Sequence, residues 1–151
     1  MQAESISQNC VKFVALGGLG EIGLNMMAIE CGEDIIVIDA GLMFPEDDML
    51  GIDIVIPDFT YLRQNRQHLR ALIVTHGHED HIGAIPFLLR EFSMPIYGTA
   101  LTLALIREKL KEHGLLERSQ LIQVTARESI AIGPFAIEFI QTCHSIPDSV
   151  G

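Results

Sequence analysis

The sequence predicts an α/β (α+β) fold in which a mixed sheet, or two sheets, is covered by helices. Two runs, Ile35-Ile36-Val37-Ile38 and Leu72-Ile73-Val74, are continuously apolar, the mark of strands buried on both faces. Apolar residues at Ile82, Ile85, Leu88, Leu89 and Phe92 recur at helical spacing. The strand-like segments come in clusters joined by hairpin signals, which disfavours a regular βαβ alternation. A length of 151 residues corresponds to one domain or a piece of one.

Along the chain, residues 1–10 are polar and read as a flexible tail, with neither the basic start nor the apolar stretch of a signal peptide. Residues 11–16 are β-branched and apolar and stop at Gly17-Gly18, a strand with a turn signal. Segments 25–30 and 34–39 flank Cys31-Gly32-Glu33 and read as a hairpin. Residues 41–57 form a long acidic loop around Phe44-Pro45-Glu46-Asp47-Asp48, and 58–69 hold a short helix. After the strand at 72–74, the spacing predicts one helix over 82–92, where Pro86 is tolerable only near the first turn. A short strand at 95–98 leads to Thr99, an N-cap candidate for a helix running to His113, with Gly114 in the C′ position. Segments 121–125, 129–132 and 135–142 read as three further strands.

Composition narrows the function classes. A 48% hydrophobic share excludes intrinsic disorder, and no apolar run approaches the roughly 18 residues of a membrane span. Three cysteines (Cys10, Cys31, Cys143), odd in number and without metal-type spacing, predict no disulfide framework and a reducing, cytoplasmic setting. A net charge of −10 disfavours a protein that coats nucleic acid with a basic face. It leaves open a nucleic acid substrate handled through metal ions.

Gly18-Leu19-Gly20-Glu21-Ile22-Gly23 satisfies the GxGxxG pattern of dinucleotide sites, with Asp39 downstream where a ribose-binding carboxylate belongs. The pattern also requires a helix after the third glycine. The space before the strand at 34 is too short for that helix and its turn, since a crossover takes at least about 10–12 residues. The glycines therefore read as a tight loop passing close to other backbone.

The segment His76-Gly77-His78-Glu79-Asp80-His81 places three of the chain's six histidines and a carboxylate directly after a buried strand. Imidazole nitrogen and carboxylate oxygen are good ligands for zinc and similar ions. His76 and His78 can face one way at the strand end, while Asp80 and His81, at the helix start, serve a second position. That spacing suits two neighbouring metals. One histidine here would be an incidental loop residue; this cluster, in a strand-end loop, is a site. His144 ends the strand at 135–143; beside the cluster it reads as a further ligand. His68 and His113, on polar helical stretches, are expected to face solvent. Asp39 either orients a ligating histidine or shapes its own turn, and both readings stand.

His76-x-His78-x-Asp80-His81 resembles the signature of the metallo-β-lactamase superfamily. The strings 17–25, 38–47, Gly51-Ile52-Asp53, Ile56-Pro57-Asp58, 75–83 and His144-Ser145-Ile146-Pro147-Asp148-Ser149 resemble the ribonuclease J family, from about Val11 to Gly151. The resemblance implies an αββα sandwich, two zinc ions, single-stranded RNA as substrate, and 5′-to-3′ exonuclease activity, often with endonuclease activity as well. It implies that His76, His78 and His144 hold the first zinc and Asp80 and His81 the second, with Asp80 and His81 in catalytic roles. A calcium ion at the loop of Gly51 and Asp53 would also follow, as would assembly into dimers or tetramers. Leu24 departs from the family, whose members often carry a basic residue there. A bridging Asp, a further His and a β-CASP domain are expected to lie after Gly151. Residues 11–151 then correspond to the N-terminal half of the metallo-β-lactamase domain, inactive in isolation.

Overall fold

The computed structural model describes residues 10–151. The expected tail over 1–10 falls outside them apart from Cys10, which is exposed. Strands β1 (Val11–Gly17), β2 (Met26–Cys31), β3 (Asp34–Ile38), β4 (Leu69–Ile73), β5 (Ile96–Gly98) and β6 (Leu121–Gln123) form one sheet in sequential order. The β1–β2 and β2–β3 junctions are antiparallel; β3 through β6 run parallel. Strands β7 (Ser129–Ile132) and β8 (Phe135–Glu138) form a separate antiparallel pair. The helices are α1 (Thr60–Gln64), α2 (Glu79–Ile82), α3 (Ile85–Glu91) and α4 (Ala100–Glu112).

The apolar runs explain the layering. In β3, Ile35 and Val37 face a core shared with Leu62, Ile85, Leu88 and Ile106 of the helices. Ile36, on the opposite face, packs with Ala71, Ile73, Phe139 and Val150. Alternate side chains of one strand thus enter two cores, so the buried stretches 35–37 of β3 and 71–73 of β4 are apolar on both faces, while Asp34 and Arg70 at the strand starts pair with each other. Three layers of the expected sandwich are present: helices, large sheet, small sheet. Among the described residues no helix covers the outer face of β7–β8, and none is long and apolar enough to cross a membrane.

Three expectations need correction. The single helix over 82–92 is two helices, with Gly83-Ala84 between them. Pro86 has no N–H for the Ile82 carbonyl and its ring crowds that position, so the ladder cannot continue. The Ala84 amide instead donates to the Ala40 carbonyl at 2.8 Å, tying the break to the loop after β3. Second, the strand over 135–142 ends at Glu138; beyond it, Gln141 pairs with Val150 in an isolated bridge. Third, Thr99 occupies the N-cap position of α4 as expected, but its hydroxyl makes no capping bond and donates to the Asp148 carbonyl at 2.8 Å. The hairpin at Gly32-Glu33 and the C′ position of Gly114, with φ +67°, are as expected.

The parallel pairing of β3 with β4 aligns Ile38 with Ile73, so Asp39 emerges beside Thr75 at one edge of the sheet. Gly41 lets the loop after β3 lie flat against α2: a Cβ there would sit 1.6 Å from the Asp80 carbonyl oxygen. Gly41→Ala should therefore cost about 3 kcal/mol by overpacking, read as a lower urea midpoint. An unchanged midpoint would show that the two backbones can separate freely.

Candidate metal centre

Beyond β4 the chain turns through Thr75, His76 and Gly77 into α2. Gly77 passes beneath Leu105 of α4, whose Cδ1 would lie 2.4 Å from any Cβ added there. Lys109 of α4 pairs with Glu79 at 2.6 Å and pins the start of α2. The loop carrying His144 is drawn over this turn by backbone bonds. Val150 N–H donates to the Thr75 carbonyl at 3.0 Å, and Asp148 Oδ2 accepts from the Leu101 N–H at the start of α4 at 3.1 Å. His144 therefore belongs to an exposed loop and does not cap a buried strand as the sequence suggested.

The histidines converge. The His76 ring lies 4.9 Å from that of His78, 4.5 Å from that of His144 and 4.0 Å from that of His81. His76, His78 and His144 each offer a nitrogen, and these atoms lie within 4.8 Å of one another. Nitrogens about 2.0–2.1 Å from a tetrahedral ion sit about 3.3 Å apart, so a small inward closing would complete the set. His144 Nε2 is already 3.1 Å from His78 Nδ1.

Proton counting shows how His76 is prepared. Asp39 Oδ1 accepts the Thr75 N–H at 2.8 Å, and its Oδ2 accepts the Thr75 hydroxyl at 2.8 Å. The hydroxyl's only proton is thereby used, so Thr75 Oγ1 must accept from His76 Nδ1, 2.9 Å away. His76 Nε2 is left with a bare lone pair, buried and without a hydrogen-bond partner. A buried unpartnered nitrogen is costly unless it has a ligand to bind. Burial, together with the neighbouring His81, pushes the His76 pKa down to about 4, which keeps the ring neutral. The three-imidazole set and this orphaned lone pair together fit a metal cofactor.

Asp39 also accepts from His81 Nδ1 at 2.7 Å, which presents His81 Nε2 on the same side. Burial works against the His81 cation, but the bond to Asp39 and the charges of Asp39 and Asp80 outweigh it and raise the pKa. Asp80 Oδ2 lies 3.6 Å from His81 Nε2 and accepts from Asn25 Nδ2 at 3.0 Å. The Asn25 N–H also donates to the Asp80 carbonyl, and the Gly41 N–H to that of Asn25. Asp80 and His81 thus form a second pair beside the three-histidine group. The glycine loop before Asn25 leads into no helix, and its strands β1 and β2 are antiparallel neighbours, so the dinucleotide pattern has no counterpart in the structure.

Gly51 and Asp53 lie in an exposed turn, and neither joins a cluster of three ligating side chains among the described residues. His113 is exposed as expected; His68 is half-buried and bonds the Glu33 carbonyl at 2.7 Å. Thr75 and Asn25 were missed as site residues. Their only signals were their positions, one just before the first histidine and the other at the end of the glycine loop.

Thr75→Val keeps the shape and removes the relay to His76. Metal affinity, measured by chelator competition, should fall 10–100-fold, about the effect of losing a partner behind a ligand; an unchanged affinity would contradict the relay. In the metal-free chain, His76 has a folded pKa depressed from 6.5 to about 4. Unfolding then takes up a proton across that interval, so stability should decline as pH falls from 6.5 toward 4. His81, whose folded pKa is raised, contributes stability that is already complete below 6.5. His76→Gln should flatten the decline in denaturation midpoint; an equal slope in both proteins would assign it elsewhere.

Known proteins give the same reading. Residues 19–148 match the model of the metallo-beta-lactamase superfamily. The chain is 50% identical over 147 residues to Ribonuclease J 1 of Streptococcus pyogenes, covering 97% of this chain and 26% of that protein. It is 50% identical over 141 residues to Ribonuclease J2 of Bacillus subtilis, covering 93% of this chain and 25% of that one. The chain thus spans about a quarter of the length of these relatives. In structure it resembles the metallo-beta-lactamase fold protein YhfI from Bacillus subtilis, with a TM-score of 0.59 at 18% identity, over 90% of this chain and 54% of that one. With most of its length matched by that model and its histidines gathered at the sheet edge, the chain belongs to the metallo-beta-lactamase superfamily.

Proposed function

We propose that the chain is the metal-holding part of a zinc-dependent ribonuclease of the ribonuclease J type, acting on single-stranded RNA in the cytoplasm. The observation that carries this reading is the approach of His144, from a distant loop, to within 3.1 Å of His78. The identity to proteins named ribonuclease J over nearly the whole chain supports the choice of RNA over other substrates. Cys10, Cys31 and Cys143 are free thiols, in keeping with a reducing compartment.

His76, His78 and His144 would hold one zinc, the borderline ion that neutral imidazoles suit. Asp80 and His81 would contribute to a second. When bound, such ions acidify water at neutral pH and supply the positive charge a phosphodiester needs. No Lys or Arg lies between Lys12 and Arg63, the stretch that provides Asn25 and Asp39, and Lys109, which reaches the start of α2, is paired with Glu79. Asn25 occupies Asp80 Oδ2 and holds the carboxylate in one orientation, from which its other oxygen can accept a proton from the attacking water. Asp39 keeps His81 in the tautomer that presents Nε2.

In the protein that contains this stretch, His144→Ala should reduce RNA hydrolysis to background while leaving the fold intact by circular dichroism. Full activity in that variant would refute the assignment. Among the described residues the second pair has two protein ligands, too few to hold an ion's geometry. Metal analysis of the 151-residue chain should accordingly find about one zinc per chain rather than two.

A further inference from the structure

A second cleft, of about 450 Å³, opens where the C-terminal end of α3 meets the segments entering β4, β5 and β6. Its walls include Arg66, Arg90, Arg118, Glu91, Ser93 and Ser119. Three of the chain's ten basic residues thus line one cleft, in a protein of net charge −10. Each guanidinium is held in place. Arg66 lies over the Phe92 ring at 5.3 Å. Arg90 lies over the Phe87 ring at 5.4 Å and reaches His113 Nδ1 at 3.0 Å, both outside the cleft, so its guanidinium sits at the rim. Arg118 spends one N–H on the Leu89 carbonyl at 3.0 Å. A guanidinium has five N–H donors, so each retains several for a ligand.

The one carboxylate in the wall does not cancel this charge. Glu91 is engaged by Arg63, which lies outside the cleft and donates to both its oxygens at 2.6 and 2.8 Å. Neutralised there, Glu91 leaves the three lining arginines as net positive charge. Held guanidiniums suit phosphate, which they meet through paired N–H donors. Three of them also call for more acceptor oxygens than a carboxylate has, and a phosphate monoester offers three.

We propose that this cleft is a phosphate-binding site separate from the metal centre. It lies at the N-terminal ends of the parallel strands, whereas His76 follows the C-terminal end of β4. Five residues of strand, roughly 16 Å at 3.3 Å per residue, stand between them. The group recognised is a phosphate, and the arms of the test separate its sources: free phosphate, a nucleotide, or a polynucleotide backbone. The proposal does not rest on the ribonuclease reading and could hold without it.

The test is an NMR titration of the full chain, following the arginine Nε–Hε signals at constant ionic strength. Inorganic phosphate or AMP should give saturable shifts confined to Arg66, Arg90 and Arg118, with a dissociation constant on the order of 1 mM or below. Sodium acetate should give none. The double variant Arg66→Ala, Arg118→Ala should weaken binding at least tenfold. Arg66→Lys with Arg118→Lys, which keeps the charge, should bind at an intermediate level and controls for misfolding. Tighter binding of AMP than of phosphate identifies a nucleotide source, equal binding identifies free phosphate, and tighter binding of a hydroxyl-ended single-stranded oligonucleotide identifies a polynucleotide. Shifts that fail to saturate, that acetate reproduces, or that persist unchanged in the alanine variant would overturn the proposal.

Discussion

The site depends on one buried carboxylate. Asp39 accepts three hydrogen bonds, from the Thr75 amide, the Thr75 hydroxyl and His81 Nδ1. Through Thr75 it sets the tautomer of His76 as well, so one charge at the end of β3 orients two imidazoles that stand five residues apart. To reach them Asp39 adopts φ +58°, a left-handed conformation that Asp tolerates better than most residues. The strain is modest and the bonds it permits are charge-assisted, roughly twice as strong as neutral ones. The same turn of the backbone points the Ala40 N–H at the His81 carbonyl, at 2.8 Å, so the motif is tied down by main chain as well.

Around this point the fold uses its breaks. Pro86 cannot donate to the Ile82 carbonyl, and at the same break the Ala84 amide bonds to Ala40 while the Asp80 carbonyl, its helical acceptor, takes the Asn25 N–H. Gly41 brings the loop after β3 into contact with Asp80, and Asn25 bonds both the backbone and the side chain of that residue. Two glycine-containing loops and one broken helix therefore act as the frame of a short acidic and histidine-rich segment. Rigid support of this kind is what a site needs if its ligands are to be held close to productive geometry.

Much of this was legible in the sequence, because the strong signals are local ones. Apolar runs at 35–38 and 72–74 marked central strands, and Gly32 and Gly114 marked turns that demand positive φ. The histidine cluster followed from residue type and spacing. What stayed hidden depends on contacts between distant segments. Nothing near Asn25 announces that it bonds Asp80, 55 residues away, and nothing near Asp39 decides between a turn and an orienting role. That His144 joins the histidine group was legible, but not that it is a loop residue, since the apolar character of 135–143 reflects packing under the large sheet as much as strand formation. The helix over 82–92 was drawn as one because its apolar spacing survives the break at Gly83-Ala84.

The central claim is that the Asp39–Thr75 relay leaves His76 Nε2 as a free lone pair aimed at a cation. Long-range 1H–15N correlation of the histidine side chains in the metal-free chain, near neutral pH, measures this directly. The account predicts that His76 carries its proton on Nδ1, with the Nε2 shift of an unprotonated nitrogen that moves when a divalent ion is added. A proton on His76 Nε2, or rapid exchange between the two nitrogens, would contradict it.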